Sequence, residues 1–204
     1  MFSKPFSESC TRNQAPILAQ LQTLFADRKQ VLEIASGTGQ HAVFFGKMLP
    51  HLNWQTSELA EQQVGIHAWL SEAQLNNVLP PIVLDVTEPF WPEIQVDAIF
   101  NANTVHIVPW SAVVQMFAGI AQVLMAGGIL CLYGPFNDDG AYTSESNAHF
   151  DSWLKNRDPR SGIRDFAAIN QLAEAQGLLL LRDIAMPANN RLLAWRNTHL
   201  NPDA

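Results

Sequence analysis

The sequence predicts an α/β protein: a Rossmann-like, doubly wound, mostly parallel sheet of seven strands with a reversed strand near the C-terminus. Three observations carry this. Strand-like and helix-like runs alternate along the chain, the pattern of a parallel sheet covered on both faces. The apolar run beginning at Val31 stops at a glycine turn, Gly37-Thr-Gly39, and opens a helix-like segment. The final helix-like run is followed by two strand-like runs that close the chain.

From Ala15 to Phe25, Ile17, Leu18, Leu21, Leu24 and Phe25 fall at helical spacing, with Pro16 tolerable in a first turn. Gln30 to Ala35 reads as strand one, and Gln40 to Met48 as a helix that stops before Pro50. Asn53 to Glu58 is a short second strand, followed by a helix over roughly Glu61 to Leu75. Pro80-Pro81 punctuates the chain before strand three, Ile82 to Val86. Val96 to Asn101 is strand four. Pro109 and Trp110 open a helix reaching about Leu124, which Gly127-Gly128 ends. Ile129 to Tyr133 is strand five. The polar stretch Gly134 to Ser146 is too long for a simple connector and is a candidate lid or site loop. Helices around Asn147 to Lys155 and Phe166 to Gln176 precede the closing strands, Leu178 to Ala185 and Arg191 to Arg196. The length suits one domain over 1–204, with 1–28 as an N-terminal helix and lid and 134–165 as a substrate-side insertion.

Hydrophobic residues at 48% and charged residues at 15% predict an ordinary packed core. A net charge of −7 with no Lys/Arg cluster argues against nucleic acid as a partner. No apolar run approaches about 20 residues, so membrane insertion is not expected. The N-terminus lacks the apolar core of a signal peptide. Cys10 and Cys131 are too few for a disulfide framework, which points to a reducing, cytoplasmic setting. The histidines lack metal-ligand spacing, and there is no G-x-S-x-G elbow to support a hydrolase. Oligomeric state is not readable.

The glycine turn carries the chemistry. Gly37-Thr-Gly-Gln-His-Ala42 satisfies G-x-G-x-x-A, and Glu58, 19 positions after Gly39, could hold a ribose hydroxyl pair. On those points a dinucleotide fits as well. Glu33 separates the readings. It sits inside strand one, four residues before Gly37, where its carboxylate would repel a pyrophosphate but favour the sulfonium and amino group of S-adenosyl-L-methionine. Ala35, Ser36, Gly37, Gly39 and His41 then form the turn that meets this cofactor. Glu58 accepts from the ribose, and Asp85 accepts from the adenine amino group with the Val86 backbone nearby.

Glu33-Ile-Ala-Ser-Gly-Thr-Gly39 resembles the first motif of class I S-adenosylmethionine-dependent methyltransferases, in which a reversed strand closes the sheet. More narrowly, the chain is similar to the small methyltransferase-like 26 family, long catalogued as a domain of unknown function. The likeness runs almost end to end, through Arg12-Asn13, Leu84-Asp-Val-Thr87, Tyr133-Gly-Pro-Phe136, Ser146-Asn147, Phe150-Asp151, Gly162-Ile-Arg-Asp165 and Met186-Pro-Ala-Asn-Asn190. Thr11 departs from it, standing where an acid is expected before the Arg-Asn pair. The resemblance implies fold and cofactor but no substrate.

Candidate site residues follow. Arg12 and Asn13 are read as preceding the first helix, in a segment folded over the cofactor. Arg12 would pair with the methionine carboxylate or a substrate anion, and Asn13 would face the substrate. The exit of strand four, Asn101 to Pro109, lies where class I enzymes present the transferable methyl. Asn101 would serve the cofactor, Asn103 would accept from a nucleophile, and His106 would remove its proton, with Asp151 as second candidate base. Tyr133 ends strand five beside the pocket. Phe136 and Tyr142 could wall it for an apolar or aromatic acceptor. Asn147 and Asp151 share a helix face, and Arg164 could contact an acidic substrate or serve a structural ion pair.

These readings make the chain an S-adenosylmethionine-dependent methyltransferase acting on oxygen or nitrogen of a small molecule, with no metal. Two alternatives remain: an NAD(P)-dependent oxidoreductase, or a catalytically silent S-adenosylmethionine-binding interaction protein. Methylation of a protein is a further possibility within the same chemistry.

Overall fold

The computed structural model describes residues 4–199. In chain order its elements are α1 (Glu8–Leu24), β1 (Gln30–Ile34), α2 (Gln40–Met48), β2 (Asn53–Glu58), a 3-10 turn (Ala60–Gln62), α3 (Val64–Ala73) and β3 (Val78–Val83). Then come β4 (Val96–Ala102), α4 (Trp110–Val123), β5 (Leu124–Gly134), β6 (Phe136–Asn137) and α5 (Glu145–Arg157). The chain ends with β7 (Arg164–Asp165), α6 (Phe166–Ala175), β8 (Leu178–Met186) and β9 (Asn190–Asn197).

Seven strands form one sheet in the order β3-β2-β1-β4-β5-β9-β8. The first five are parallel, and β9 runs antiparallel to both of its neighbours. The chain therefore leaves β1 toward β2 and β3 on one side, then returns to place β4 on the other. That reversal opens a crevice at the carboxyl ends of β1 and β4, where ligands of open α/β sheets bind.

Each face of the sheet carries its own core. One joins Leu32, Ile34 and Leu130 to Phe117 and Ile120 of α4 and Ile169 of α6. The other joins Val31, Trp54 and Phe100 to Ile17 and Leu21 of α1 and Phe45 of α2. The central strands, covered on both sides, read as near-continuous apolar runs for this reason.

Four local differences from the sequence reading have physical causes. The first helix begins at Glu8, because the Ser7 hydroxyl caps it by accepting from the Cys10 N–H at 3.3 Å. Arg12 and Asn13 consequently lie within α1, and Pro16 sits in its interior. α1 is a core element, since Ile17 and Leu21 are fully buried. β3 starts at Val78 and carries Pro80-Pro81 inside it, which an edge strand tolerates because one row of its N–H groups has no partner. Asp85 and Val86 thus fall just beyond β3. β5 begins at Leu124, before Gly127-Gly128, so the glycine pair lies within the strand. The stretch after β5 is tied down: β6 pairs with β7, Asp138 bridges Ala141, and the Gly140 N–H donates to Asp165 at 2.6 Å.

Candidate functional site

The turn after β1 is built from strained and tightly tied backbone. Ala35 and Gly37 both have φ of 55°, in the left-handed region. The Gly39 N–H donates to the Ser36 carbonyl at 2.9 Å, closing the turn. Gly39, with φ of 87°, enters α2 without any side-chain cap. A Cβ there would stand 3.0 Å from the Ile66 Cα, so the glycine lets α2 approach α3 closely. The Ser57 hydroxyl donates to the Glu33 carbonyl at 2.7 Å, and the Ser57 N–H to the Ser36 hydroxyl at 3.1 Å, locking the turn to β2.

A cavity of about 950 Å³ opens over this turn and the carboxyl ends of β1, β4 and β5. Its volume lies at the upper end of the range for small-ligand pockets. At one end it meets Glu33, the turn Ala35 to Thr38, and His41. α1 closes that end with Cys10, Arg12 and Asn13. At the other end it meets Asn103, His106, Tyr133 and Asn147. Three of the six non-glycine residues with positive φ among the described residues line it: Ala35, Asn103 with φ of 59° and Ala188 with φ of 58°. Such conformations persist where the surrounding structure over-determines them, as at ligand sites.

Glu33 is buried and accepts from the Trp54 indole N–H at 3.0 Å. Burial pushes its carboxyl up to about 7, against the lowering effect of hydrogen bonds from Trp54 and Ser36. His41 is also buried, and donates from Nε2 to Asn13 Oδ1 at 2.7 Å. Its ring stacks on Phe45, and burial lowers it to about 4, so it is a neutral strut between α2 and α1. Gln40 completes that joint by donating to the Ser7 carbonyl at 3.3 Å.

His106 is the singular group of the site. It is buried, yet its Nδ1 has no hydrogen-bond partner among the described residues. Burial, then the positive charge of Arg164, lowers it to about 4, leaving the ring neutral with a free lone pair. Its loop is held by a neighbouring segment that takes four successive carbonyls. Arg164 donates to Val105 at 2.9 Å and Val108 at 2.6 Å, the Gly162 N–H to His106 at 2.9 Å, and the Ser161 hydroxyl to Ile107 at 2.5 Å.

Several sequence-derived candidates do not reach the cavity, and each has another occupation. Asn101 is buried and donates to the Ile34 carbonyl at 2.9 Å and to Thr104 at 2.7 Å, bracing β4 against β1. Asp151 accepts from the Ile163 N–H at 2.7 Å, Tyr142 at 2.7 Å and Lys155 at 2.6 Å. Burial alone would raise its carboxyl, but those donors together hold it below the usual range, which suits a structural hub rather than a base. Tyr142 is spent on that hub, Phe136 is wholly in the core, and Arg164 serves the His106 loop.

Glu58 and Asp85 lie outside the cavity proper. Glu58 ends β2, is mostly buried, accepts from the Leu59 N–H at 2.8 Å, and stands next to the Gly37 N–H. Burial raises its carboxyl above the ordinary value. Asp85 accepts with Oδ1 from both the N–H and the hydroxyl of Thr87, at 2.8 and 2.7 Å, leaving Oδ2 with no hydrogen-bond partner among the described residues. Val86 follows it, half-buried against the core.

The sequence reading missed the face of α5 that lines the cavity, Phe150, Trp153, Leu154 and Arg157. Its signal was there in the i, i+4, i+7 spacing of 150, 154 and 157. It also missed Cys10 and Ala188. Among the described residues, no group of three or more His, Cys, Asp and Glu could hold a metal ion, and no helix is long and apolar enough to cross a membrane.

Residues 4–197 match the family described as a protein of unknown function, DUF938. Among solved structures, the chain superposes on an O-methyltransferase family protein from Burkholderia thailandensis with a TM-score of 0.83 at 14% identity, covering 95% of this chain and 59% of that one. An O-methyltransferase family 2 protein from Planctomyces limnophilus, in complex with apigenin, gives 0.72 at 15% identity, covering 90% and 61%. Human N-acetylserotonin methyltransferase, in complex with S-adenosylmethionine, gives 0.72 at 13% identity, covering 94% and 53%. This chain thus spans between half and two-thirds of the length of each. The fold is the Rossmann-like methyltransferase fold.

Proposed function

We propose, from the premise that this chain belongs to the DUF938 family, that it is an S-adenosylmethionine-dependent methyltransferase acting on oxygen or nitrogen of a small molecule. The observation that carries the reading is the buried Glu33 at the glycine turn, with the neutral His106 lining the same cavity. A carboxyl raised to about 7 is costly in an empty fold, and a cationic ligand beside it makes its ionised form favourable. A pyrophosphate would not.

The residues present fit the cofactor. Glu33 would hold the amino group and the positive end, and the backbone from Ala35 to Gly37 would border the ligand, since these line the cavity. Beyond the cavity proper, Glu58 would accept from the ribose and Asp85 from the adenine amino group. Arg12 pairs with the methionine carboxylate, its present contact to Glu8 being an exposed one at 3.3 Å that contributes little. When bound, S-adenosylmethionine supplies a methyl carbon whose bond to sulfur breaks, the electron pair staying on sulfur, as the bond to the acceptor forms.

The chain's own residues then have three tasks. They align acceptor and methyl, exclude water, and take the acceptor's proton. His106, which lines the cavity, takes that proton on its neutral imidazole and becomes the imidazolium. Asn103 orients the acceptor by accepting from its second proton or donating to its oxygen. Tyr133, which ends β5 and receives a hydrogen bond from Asn13, closes the wall between the two halves of the cavity. The test is transfer of isotope-labelled methyl from S-adenosylmethionine to a small-molecule extract, wild type against His106→Ala. Labelled products in the first and not the second support the reading. No labelled product with wild type argues for the silent binding protein.

A further inference from the structure

The acceptor end of the cavity has a composition of its own. α5 presents Phe150, Trp153, Leu154 and Arg157 to it, on one side of the helix. The Phe150 and Trp153 rings stack with their centroids 5.8 Å apart at 16°, so together they make an offset aromatic wall. That wall abuts the candidate base, since Phe150 meets the His106 ring edge-on at 5.4 Å. Trp153 is nevertheless 51% exposed, a large apolar side chain at the surface. The Arg157 guanidinium stands 4.8 Å over the Trp153 ring and has no carboxylate partner among the described residues.

These features select a ligand. An aromatic wall in the cavity suits an aromatic body packed against it. An unpartnered guanidinium at the far end of the same wall suits an anion, and its planar fork matches a carboxylate. The neutral imidazole of His106, which lines the cavity beside Phe150, suits a proton donor on the same molecule.

We propose that the methyl acceptor is a planar aromatic hydroxy or amino compound that also bears a carboxylate, stacked on Phe150 and Trp153 with its carboxylate on Arg157. This rests on the methyl-transfer reading and adds the substrate class to it. The aromatic ring lies along the wall with the nucleophilic group toward His106. A neutral analogue keeps the stacking and loses the charged contact.

The test uses the whole chain saturated with S-adenosylhomocysteine. Hydroxybenzoates, hydroxycinnamates and hydroxyquinoline carboxylates are titrated calorimetrically, each beside its uncharged carboxamide. At least one acid is expected to bind about tenfold more tightly than its amide, the loss typical of one charge-assisted hydrogen bond. Arg157→Gln removes that preference while the affinity for S-adenosylhomocysteine is unchanged. Trp153→Ala weakens acid and amide alike. Amides that bind as well as the acids overturn the proposal, as does a chain that takes S-adenosylhomocysteine but no member of the panel. If the chain does not take S-adenosylhomocysteine at all, the methyl-transfer reading fails, and the proposal with it.

Discussion

The indole N–H of Trp54 donates to the Glu33 carboxyl at 3.0 Å, and so a residue of β2 supports a buried acid of β1 at the mouth of the cavity. Burial outweighs this donor and Ser36, and the carboxyl is pushed up to about 7. The folded chain therefore holds a proton there that the unfolded chain releases above about 4.5. Stability from this group is full at acid pH and is lost as pH rises through about 7. Glu33→Gln keeps the Trp54 contact and removes the titration. It should raise the melting temperature at pH 8 by several degrees, consistent with a gain of roughly 1–3 kcal/mol, and change it little at pH 5. Melting curves at the two pH values check this.

The same acid sets the pH dependence of cofactor binding. A cation beside Glu33 needs the carboxylate, so affinity for S-adenosylmethionine should rise about tenfold from pH 5.5 to pH 7. The two buried histidines of the site do not contribute to that limb, because both are lowered to about 4. Calorimetry across this range should show the limb in wild type and its absence in Glu33→Gln.

His106→Ala should lower kcat by roughly 10²- to 10⁴-fold, the usual contribution of a positioned base, with cofactor affinity unchanged. Steady-state kinetics and a cofactor titration on the same sample separate the two quantities. A loss of cofactor affinity that matches the loss of rate would remove His106 from the role of base.

Arg164→Met leaves the Val105 and Val108 carbonyls without their guanidinium donor. It should destabilise the fold by about 1–3 kcal/mol in denaturant, the cost of stranding buried acceptors. Because those carbonyls flank His106, kcat should fall more than the cofactor affinity does. Arg164→Lys, with one donor point in place of a fork, should recover only part of either loss.

Asp151→Asn should behave as a structural change. The carboxylate takes three donors, and an amide oxygen cannot accept all of them. Other donors hold this carboxyl down although burial opposes them, so its stabilising effect is present at neutral pH and is lost as pH falls through its lowered value. Melting should drop at pH 7 while affinity for S-adenosylhomocysteine stays within about twofold.

The sheet and the glycine turn were legible because their signals are local. Val31 to Ile34 is buried on both faces, and a strand of that kind shows as a near-continuous apolar run, interrupted here by Glu33. Glu33, the turn from Ala35 to Gly37, His41 and His106 could likewise be placed from position along the chain. What was not legible depends on partners distant in sequence. Asp151 and Asn147 both face inward from α5, but Tyr142, Lys155 and Ile163 consume the first while the cavity reaches the second. Arg164 meets the His106 loop 56 to 59 residues away. The edge position of β3, which permits Pro80-Pro81, is a property of strand order.

Titration of the purified chain with S-adenosylhomocysteine, and in parallel with NADH, tests the central claim most directly. The account predicts saturable binding of the first, lost on Glu33→Gln, and none of the second. A chain that binds NADH and ignores S-adenosylhomocysteine would contradict it.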